Sequence, residues 1–272
     1  MSYTSQNTRV CTDQLGRSVE ISFRPQRIIS LVPSVTDLLH YLGLDSRVVS
    51  VTKFCERPEG WRECKTIVGG TKNLRLDVIR GLKPDLVLAS KEENVKDQIE
   101  LLAGEFPVWV SDVTDMHSAL EMIEMVGKLT NSEVCATELT HQIKLRFEHI
   151  KLPASRIRVV YLIWKDPWMA AGKDTFIHAM LSSTGFENAV DSTRYPSLST
   201  HDLVNLNPDA VLLSSEPYPF KNHHVAEMQQ LLCNAMVERV DGQLFSWYGP
   251  RMLYLPEYAE KLHRKLSTNQ HT

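Results

Sequence analysis

Apolar stretches of strand length alternate with amphipathic stretches of helical period along most of the chain. Two of the apolar stretches repeat each other 124 positions apart, with LKPDLVLAS at Leu82–Ser90 and LNPDAVLLS at Leu206–Ser214. Each copy begins with a Pro-Asp turn, continues as a strand of buried type and ends in a polar cluster. The repeat therefore predicts two similar lobes of the α/β class.

The same alternation extends through both halves of the chain. Further strands are predicted at Arg27–Val32, Arg47–Val51, Val108–Ser111, Arg158–Trp164 and Gln243–Trp247. Helices are predicted at Leu76–Leu82, Val95–Leu102, Asp202–Leu206, Val225–Leu232 and Pro256–Leu266. Strand, helix and strand in succession predict parallel or mixed sheets flanked by helices in each lobe.

One long helical stretch separates the two halves. Residues 118–150 have helical periodicity with a pause at 130–132, and the second part carries one apolar face formed by Leu139, Ile143, Phe147 and Ile150. This pattern predicts a long backbone helix that joins the lobes. The expected domains are an N-terminal α/β lobe at 1–117, a helical segment at 118–152 and a C-terminal α/β lobe at 153–272.

Two glutamates follow the repeated strands at matching positions. Glu92 comes two residues after Ser90, and Glu216 comes two residues after Ser214. If both strands are parallel core strands, their carboxyl ends open onto a crevice of the kind in which open α/β sheets bind ligands. A ligand cleft between the lobes is therefore expected. Carboxylates there can hold a cation, accept hydrogen bonds from a ligand or act in acid–base chemistry, whereas helix capping is the structural alternative.

Aromatic residues lie at or just after several predicted strand ends. Planar macrocycles bind well to such side chains, because each ring offers a large apolar face at small entropic loss. Core packing is the alternative for any single ring. The candidates are Phe54, Trp164, Trp168, Tyr195, Trp247 and Tyr248.

Cys55 lies on a loop after a predicted strand. A thiolate at this place could bind a metal or the cobalt of a corrinoid, and a buried inert thiol is the alternative. The five cysteines are an odd and widely spaced set, which is typical of free thiols in a reducing compartment. No cysteine and histidine cluster has zinc-type spacing.

Charge and composition narrow the function classes. The net charge of −3 leaves no basic footprint for nucleic acid, and no apolar run approaches the roughly 20 residues of a membrane helix. Neither a Gly-rich phosphate loop nor a Gly-x-Ser-x-Gly motif is present. Met1–Arg9 lacks the apolar core of a secretory signal, so a cytoplasmic location is expected, or a periplasmic one if an export signal has been removed.

Several motifs resemble those of a known family. They are DQLGRSV at 13–19, PQRIISLVPSVT at 25–36, VGG at 68–70, LKPDLVL at 82–88 and WYGPR at 247–251. Together they resemble the class III substrate-binding proteins of ABC importers for vitamin B12, ferric siderophores and haem, which have the helical-backbone metal receptor fold. The vitamin B12-binding members are the most similar, and the resemblance spans about residues 9–266.

The resemblance implies two lobes joined by one long helix, with the ligand held between them. Cobalamin-binding members surround the corrin with aromatic side chains, and the matching positions here are Phe54, Trp164, Tyr195, Trp247 and Tyr248. Transport members also present a surface glutamate on each lobe to arginines of the membrane permease. The matching residues of this chain are the shorter acids Asp77 and Asp202.

The sequence thus predicts noncovalent binding of a metal chelate by an ABC-importer substrate-binding protein or a cytoplasmic carrier. Cobalamin or another corrinoid is the first expected ligand, and a ferric siderophore or haem comes next. Aromatic side chains would clamp the ring system, and Glu92, Glu216 and Arg251 would contact its periphery. The full predicted ligand-binding set is Ser34, Phe54, Cys55, Lys91, Glu92, Trp164, Trp168, Tyr195, Glu216, Tyr218, Trp247, Tyr248 and Arg251.

Other expectations follow from the same interpretation. No catalytic residue, intrinsic cofactor or protein-bound metal is expected, and the expected partners are the chelate and an ABC permease. Nucleic acid is not an expected partner, and the protein is expected to be monomeric and not inserted in a membrane.

Two other functions remain open at this point. A cytoplasmic chelatase-like enzyme could use cleft carboxylates for metal or proton transfer, although His201 is the histidine nearest to the predicted strand ends. An interaction module without a ligand site is the other alternative, and the exposed aromatic loops argue against it.

Overall fold

Strands alternate with helices throughout residues 8–268, the part of the chain that the computed structural model describes. The strands are β1 (Thr8–Thr12), β2 (Ser18–Ser22), β3 (Ile28–Ser30), β4 (Val48–Val51), β5 (Thr66–Ile67), β6 (Gly69–Gly70), β7 (Asn73–Leu74), β8 (Leu86–Ser90), β9 (Val108–Ser111), β10 (Ile157–Trp164), β11 (Trp168–Ala170), β12 (Phe186–Asn188), β13 (Ser197–Leu198), β14 (Ala210–Ser214) and β15 (Met236–Val240). The helices are α1 (Pro33–Tyr41), α2 (Trp61–Cys64), α3 (Leu76–Leu82), α4 (Lys96–Ala103), α5 (Met116–Thr130), α6 (Glu133–Glu148), α7 (Phe176–Ser183), α8 (Thr200–Leu206), α9 (Asn222–Leu231), α10 (Gly242–Ser246) and α11 (Leu255–Thr268). Most of the Met1–Arg9 segment, on which the expected lack of an export signal rests, lies outside the described residues.

The chain divides into two units, each with its own sheet. The first unit contains the chain up to Val113, His117–His141 and Tyr248–Pro250. The second unit contains Thr114–Met116, Gln142–Trp247 and the chain from Arg251 onward. The division falls inside α6, and the three-part domain scheme expected from the sequence stays a prediction.

The first unit is built on a five-stranded sheet with strand order β5-β4-β3-β8-β9. All four pairings in this sheet are parallel. Every residue of the central strand β8 is buried. A parallel sheet is covered by helices on both faces, which explains why β8 is a continuous apolar run and not an alternating one.

The second unit has a six-stranded mixed sheet with strand order β13-β11-β10-β14-β15, and β12 also pairs with β10. β12, β10, β14 and β15 run parallel, whereas β11 and β13 join by antiparallel pairings. β14 is buried along its whole length, as β8 is. The predicted α/β class with parallel and mixed sheets flanked by helices is therefore confirmed.

The sequence repeat extends to side-chain hydrogen bonds at the start of each repeated strand. The backbone N–H of Arg27 donates to Asp85 at 2.7 Å, and the backbone N–H of Arg158 donates to Asp209 at 2.8 Å. Each arginine side chain in turn donates to the carbonyl three residues before its aspartate partner, at Leu82 or Leu206. The same arginine–aspartate pair thus sets the register of the neighbouring strand in both units.

The helical stretch that follows β9 and precedes β10 in the sequence consists of two helices. The chain leaves α5 through Asn131, whose φ of 57° is left-handed and ends the helix. Leu139 and Ile143 of the predicted apolar face are fully buried. α6, at 16 residues, begins after this break. Within residues 8–268, no helix is long and apolar enough to cross a bilayer.

One predicted strand is a helix in the structure. The segment at 243–247 was expected to be extended, but α10 occupies Gly242–Ser246. The Asp241 side chain accepts a 3.0 Å hydrogen bond from the backbone N–H of Gln243 and so caps the first turn. Leu244 and Phe245 are adjacent and both buried. A short apolar run of this kind occurs in buried strands as well as in buried helices, so the sequence alone did not distinguish the two.

Candidate functional site

Serine residues end both repeated strands and shape the loops that carry the predicted glutamates. The hydroxyl of Ser90 accepts the backbone N–H of Glu92 at 3.2 Å. The hydroxyl of Ser214 accepts the backbone N–H of Glu216 at 3.4 Å. The two half-buried glutamates therefore leave their strands through the same kind of turn, as the repeat predicts.

In the first unit, Lys91 and Glu92 lie where β8 ends. The exposed ammonium of Lys91 is 2.6 Å from Oδ2 of Asp112, and Lys72 donates to the backbone carbonyl of Glu92 at 2.7 Å. An exposed ion pair of this kind contributes little to stability. Lys91 therefore remains accessible at the strand end, with an acidic partner beside it.

Asn94 is a buried residue of the same loop that the sequence analysis missed. Its amide donates to the carbonyls of Leu31 and Thr71 at 3.3 and 3.0 Å, and its carbonyl oxygen accepts the backbone N–H of Ser90 at 2.9 Å. One side chain thus connects three strand-end segments. Its place four residues after the strand-ending serine is the only sequence signal for this role.

The structure does not present Cys55 to a ligand. Its side chain is fully buried, and its sulfur lies 3.0 Å from Oγ1 of Thr36 and 3.3 Å from Oγ1 of Thr52. Burial raises the pKa of the Cys55 thiol, more than these hydroxyl contacts lower it. A neutral, enclosed thiol is a poor metal ligand, so the expected coordination by Cys55 is not supported by its surroundings.

Tyr248 and Ser34, which were both expected at the ligand, are buried in the first unit. Tyr248 is only 5% exposed, and its hydroxyl interacts with Ser34, Ser90 and Ser111. Burial, followed by the nearby charge of Glu93, raises the pKa of Tyr248 to about 12. The phenol therefore stays neutral and forms part of a buried hydroxyl cluster at the carboxyl end of the sheet.

Phe54 is the exposed aromatic side chain of the first unit's strand-end loops. Its side chain is 50% exposed, and Lys53 Nζ lies 5.0 Å from the ring centre. A Cβ atom added at Gly70 would lie 3.0 Å from the Phe54 ring. Glycine at this position thus leaves room for the ring, which stays available to a ligand.

In the second unit, four aromatic side chains form one cluster, which we call the aromatic cluster. Trp164 and Tyr218 pack edge to face at 5.4 Å, Tyr218 and Phe220 lie 4.8 Å apart, and Trp168 stacks on Phe220 at 6.2 Å. Phe220 is buried in the core of the unit, whereas Trp164 is 41% exposed. The structure therefore brings together Trp164, Trp168 and Tyr218, as an aromatic site requires.

Two adjacent histidines also belong to this region. The buried imidazole of His224 lies 3.2 Å from the Tyr218 hydroxyl and 3.0 Å from Nε2 of His223, and it accepts the backbone N–H of Lys221 at 2.9 Å. Burial, then the charges of His223 and Lys165, lower the pKa of His224 below its ordinary value of 6.5. Histidine adjacency in the sequence did not predict this contact, because the helix start turns both rings to the same side.

Glu216 and Trp247, which were predicted to contact the ligand separately, contact each other. The indole N–H of Trp247 donates to Oε1 of Glu216 at 2.6 Å, and the hydroxyl of Ser246 donates to the same oxygen at 2.9 Å. Trp247 is buried, with 5% of its surface exposed. Its ring is therefore part of the packing of the second unit, and Glu216 satisfies its N–H group.

The last two predicted ligand residues lie on the surface of the second unit. Tyr195 is half-buried, with the Arg194 guanidinium 5.7 Å from its ring centre. Arg251 is half-buried as well, and its guanidinium lies 5.6 Å from the ring centre of Tyr254. Each is thus one half of a cation–aromatic contact.

The predicted docking residues Asp77 and Asp202 are both exposed in the first turn of a short helix, α3 or α8. Oδ2 of Asp202 accepts the backbone N–H and the hydroxyl of Ser199 at 2.8 and 2.7 Å. These hydrogen bonds lower the pKa of Asp202. The Asp202 carboxylate is thus charged and held in one orientation by its cap.

Within residues 8–268, no three histidine, cysteine or acidic side chains converge as ligands of a metal ion. The arrangement is suited to holding a ligand by ring faces and peripheral hydrogen bonds.

Comparison with known proteins places the chain among binding proteins. The model of the family described as periplasmic binding protein matches residues 28–240. An uncharacterized ABC transporter substrate-binding lipoprotein of Bacillus subtilis (strain 168) is 29% identical over 92% of this chain and 84% of its own length. A vitamin B12-binding protein of Pectobacterium carotovorum is 25% identical over 84% of this chain and 85% of its own length.

A solved structure has the same fold. The periplasmic haem-binding protein of Vibrio cholerae superposes with a TM-score of 0.75 over 88% of this chain and 98% of its own, at 21% identity. These matches confirm the family resemblance inferred from the motifs. They offer no support for the chelatase-like alternative.

The expected cytoplasmic location is wrong. The relatives are named as a lipoprotein and as a periplasmic protein. The expectation depended on the first residues of the sequence and on an odd number of cysteines. Neither feature is part of the fold, so neither outweighs the family match.

Proposed function

The chain belongs to the periplasmic binding protein family, and on that premise we propose that it binds a metal chelate noncovalently as the substrate-binding component of an ABC importer. A corrinoid such as cobalamin is the first ligand to test, because a 25% identical relative is named a vitamin B12-binding protein. Haem and ferric siderophores are the next candidates.

The observation that carries this proposal is the aromatic cluster of the second unit. Trp164 ends β10 with a large part of its ring exposed, while Tyr218 holds it edge to face. A supported, exposed ring offers a rigid apolar face to a planar macrocycle. Phe54 offers a second such face at a strand end of the first unit.

Polar groups on the loops after the two repeated strands are suited to the periphery of a chelate. Lys91 and Glu92 follow β8, and Glu216 follows β14 on the matching turn. A corrin carries amide groups around its ring, and ligand sites combine apolar walls with a few placed polar groups. We therefore assign orientation of the ligand to these side chains and affinity to the rings.

The test is a titration of the purified protein with cyanocobalamin and hydroxocobalamin. Bound corrinoid is measured by its visible absorbance after gel filtration, and tryptophan quenching is followed in parallel. We expect saturable binding in the micromolar range or tighter by the wild type. Trp164→Ala is expected to weaken binding about fivefold or more, since stacking of a planar ring on one aromatic side chain contributes about 1–3 kcal/mol.

A matched control separates a ligand contact from a loss of surface aromatic area. Phe23 is 45% exposed and lies outside the aromatic cluster, so Phe23→Ala should bind as the wild type does. Trp247 is unsuitable as a probe because its ring is buried. Absence of binding by the wild type to either corrinoid would exclude cobalamin and direct the titration to haem and ferric chelates.

The proposed transport role includes docking to a permease through Asp77 and Asp202. Both carboxylates are exposed at equivalent short helices of the two units. Ligand-dependent stimulation of the importer's ATPase in liposomes should fall for Asp77→Ala and Asp202→Asn, with ligand affinity unchanged. Asp97→Ala, on the first turn of α4, is the control that should leave stimulation intact.

A further inference from the structure

The proton of the neutral His224 ring has a defined position. The backbone N–H of Lys221 donates to Nδ1 of His224 at 2.9 Å, so Nδ1 is an acceptor and carries no proton. The single proton of the neutral imidazole is therefore on Nε2. That N–H group faces the hydroxyl of Tyr218 at 3.2 Å and Nε2 of His223 at 3.0 Å.

This assignment argues against a metal site at the two histidines. A metal ion would require the lone pair of His224 Nε2, which holds the proton. Moving the proton to Nδ1 would place it against the N–H of Lys221, and two donors would face each other at 2.9 Å. The geometry favours a hydrogen-bond relay over coordination.

We infer that His224 is a positioning residue that holds Tyr218, and through it the exposed ring of Trp164, only while its imidazole is neutral. The relay runs from the first turn of α9, through the His224 ring, to the hydroxyl of Tyr218, whose ring supports Trp164 edge to face. The inference rests on the proposed function for the role of Trp164 in binding. Its own test does not require a ligand.

Protonation would place a second N–H group on the ring, at Nδ1 and directly against the backbone N–H of Lys221. Nδ1 would become a donor and lose the N–H of Lys221, which caps the start of α9. The groups around the ring add to the cost of the charge, because Lys165, Lys221 and His223 oppose an imidazolium and Glu227 alone favours it. Glu227 is already paired with Lys165.

The ring also packs against aromatic side chains, which do not stabilise a charge as water would. His224 is buried between Tyr218 and Phe220, with ring centres 5.4 and 5.5 Å away. These causes lower the pKa of His224, so the change should occur at a pH below the ordinary range of histidine. Acidification should then push the His224 ring away from the N–H of Lys221, and so move Tyr218 and alter the environment of Trp164.

The first measurement determines the tautomer and titration of His224. Imidazole ¹⁵N shifts of the full-length wild-type protein should show the proton of His224 on Nε2 near neutral pH and a pKa below the ordinary value of 6.5. A proton on Nδ1, or titration of His224 at or above the ordinary value, would overturn the inference. This measurement needs no variant, so it decides the question even if a substituted protein fails to fold.

The second measurement follows Trp164 emission, taken as the difference between the wild type and Trp164→Phe, from about pH 8 to about pH 5. In the wild type the emission should change on acidification. His224→Gln should abolish that change, because the amide can accept the N–H of Lys221 and donate to Tyr218 without titrating. His201→Gln is the control that should behave as the wild type, and a wild-type pH course in His224→Gln would contradict the inference.

The third measurement connects the relay to binding. Hydroxocobalamin affinity of the wild type should be about fivefold weaker at the low pH than at the high pH, the factor expected from one lost hydrogen bond, and His224→Gln should lose this dependence. Binding by the wild type that does not change with pH would overturn the link between His224 and the ligand. Absence of cobalamin binding at both pH values contradicts the proposed ligand, and the emission comparison still decides the positioning role.

Discussion

The indole N–H of Trp247 donates a 2.6 Å hydrogen bond to Oε1 of Glu216. The two residues are 31 positions apart, and the same oxygen also accepts the hydroxyl of Ser246 at 2.9 Å. A buried indole N–H without an acceptor would be costly. Glu216 therefore has a structural role at the end of β14 in addition to its proposed contact with a ligand.

Removing the acceptor should destabilise the second unit. We expect Glu216→Ala to lower the free energy of unfolding by about 2 kcal/mol, because hydrogen bonds to a charged group contribute about 1.5–3 kcal/mol. Glu216→Gln should cost less, since its amide oxygen can still accept. Chemical denaturation followed by tryptophan emission measures both variants.

The control for this prediction is Glu257→Ala. Glu257 forms an exposed ion pair with Lys261 on α11, and such pairs contribute little to stability. Equal losses for Glu216→Ala and Glu257→Ala would show that the Trp247 contact contributes nothing beyond a surface interaction.

The five thiols should react in distinct classes. Cys64, Cys135 and Cys233 are exposed, Cys11 is half-buried and Cys55 is fully buried with a raised pKa. We expect three thiols to react rapidly with an aromatic disulfide at mildly alkaline pH, one to react more slowly, and Cys55 to react only after unfolding. Cys55→Ala should leave the rapid phase unchanged, and a rapid phase reduced by that substitution would contradict the buried placement.

His263 should make stability fall on the acid side. Its ring stacks on Phe186 at 3.9 Å, its Nε2 donates to the carbonyl of Thr184 at 2.8 Å, and burial lowers its pKa. The unfolded chain binds a proton near the ordinary value of 6.5, whereas the folded protein resists it. The contribution is therefore present above that value and is lost as the pH falls through it toward the lower folded pKa.

The measurement is the free energy of unfolding of wild type and His263→Phe across this pH range. The variant should lose less stability on acidification than the wild type does, because one buried titrating group has been removed. His149→Phe, an exposed position after α6, is the matched control. Parallel pH curves for wild type and His263→Phe would exclude His263 as the source.

Gly127 allows α5 and α6 to approach closely. A Cβ atom at this position would lie 2.4 Å from the Cβ of Ala136. We expect Gly127→Ala to lower the free energy of unfolding by up to about 2 kcal/mol, since overpacking costs about 1–3 kcal/mol and the gain in helix propensity returns about 1 kcal/mol.

Gly81→Ala is the matched control for this substitution. Gly81 also lies in a helix, α3, but nothing is within 4 Å of its added Cβ. It should stabilise the protein by about 0.5–1 kcal/mol. Thermal or chemical unfolding of both variants tests the prediction, and a stabilising Gly127→Ala would show that α6 shifts without cost.

Much of the secondary structure could be predicted from local pattern. An apolar run bounded by turn residues marks the strand at Val108–Ser111 and the strand after each Pro-Asp turn. The structure has strands at all three places. The strand predicted at 243–247 is wrong, because a short buried run has no periodicity that distinguishes a strand from a helix. The hydrogen bond from Gln243 to Asp241 decided in favour of helix.

The sequence also predicted only part of the candidate site. Trp164 and Trp168 were predicted from their places after strands, and the structure brings them together with Tyr218 of the predicted ligand-binding set. Trp247 was predicted on the same grounds and is buried instead. Sequence position shows that a residue follows a strand, but the packing around it decides whether its ring points to solvent.

The sequence by itself determined the α/β class, the repeated unit and the family, because strand and helix periods and turn residues are local and the repeat is a direct comparison of two segments. Only the tertiary structure decided which candidates stay exposed, that Glu216 serves Trp247, and that His224 connects α9 to Tyr218. These contacts depend on the direction in which each side chain points. A hydrogen bond between two side chains depends on the packing of both elements, and no spacing along the chain specifies it.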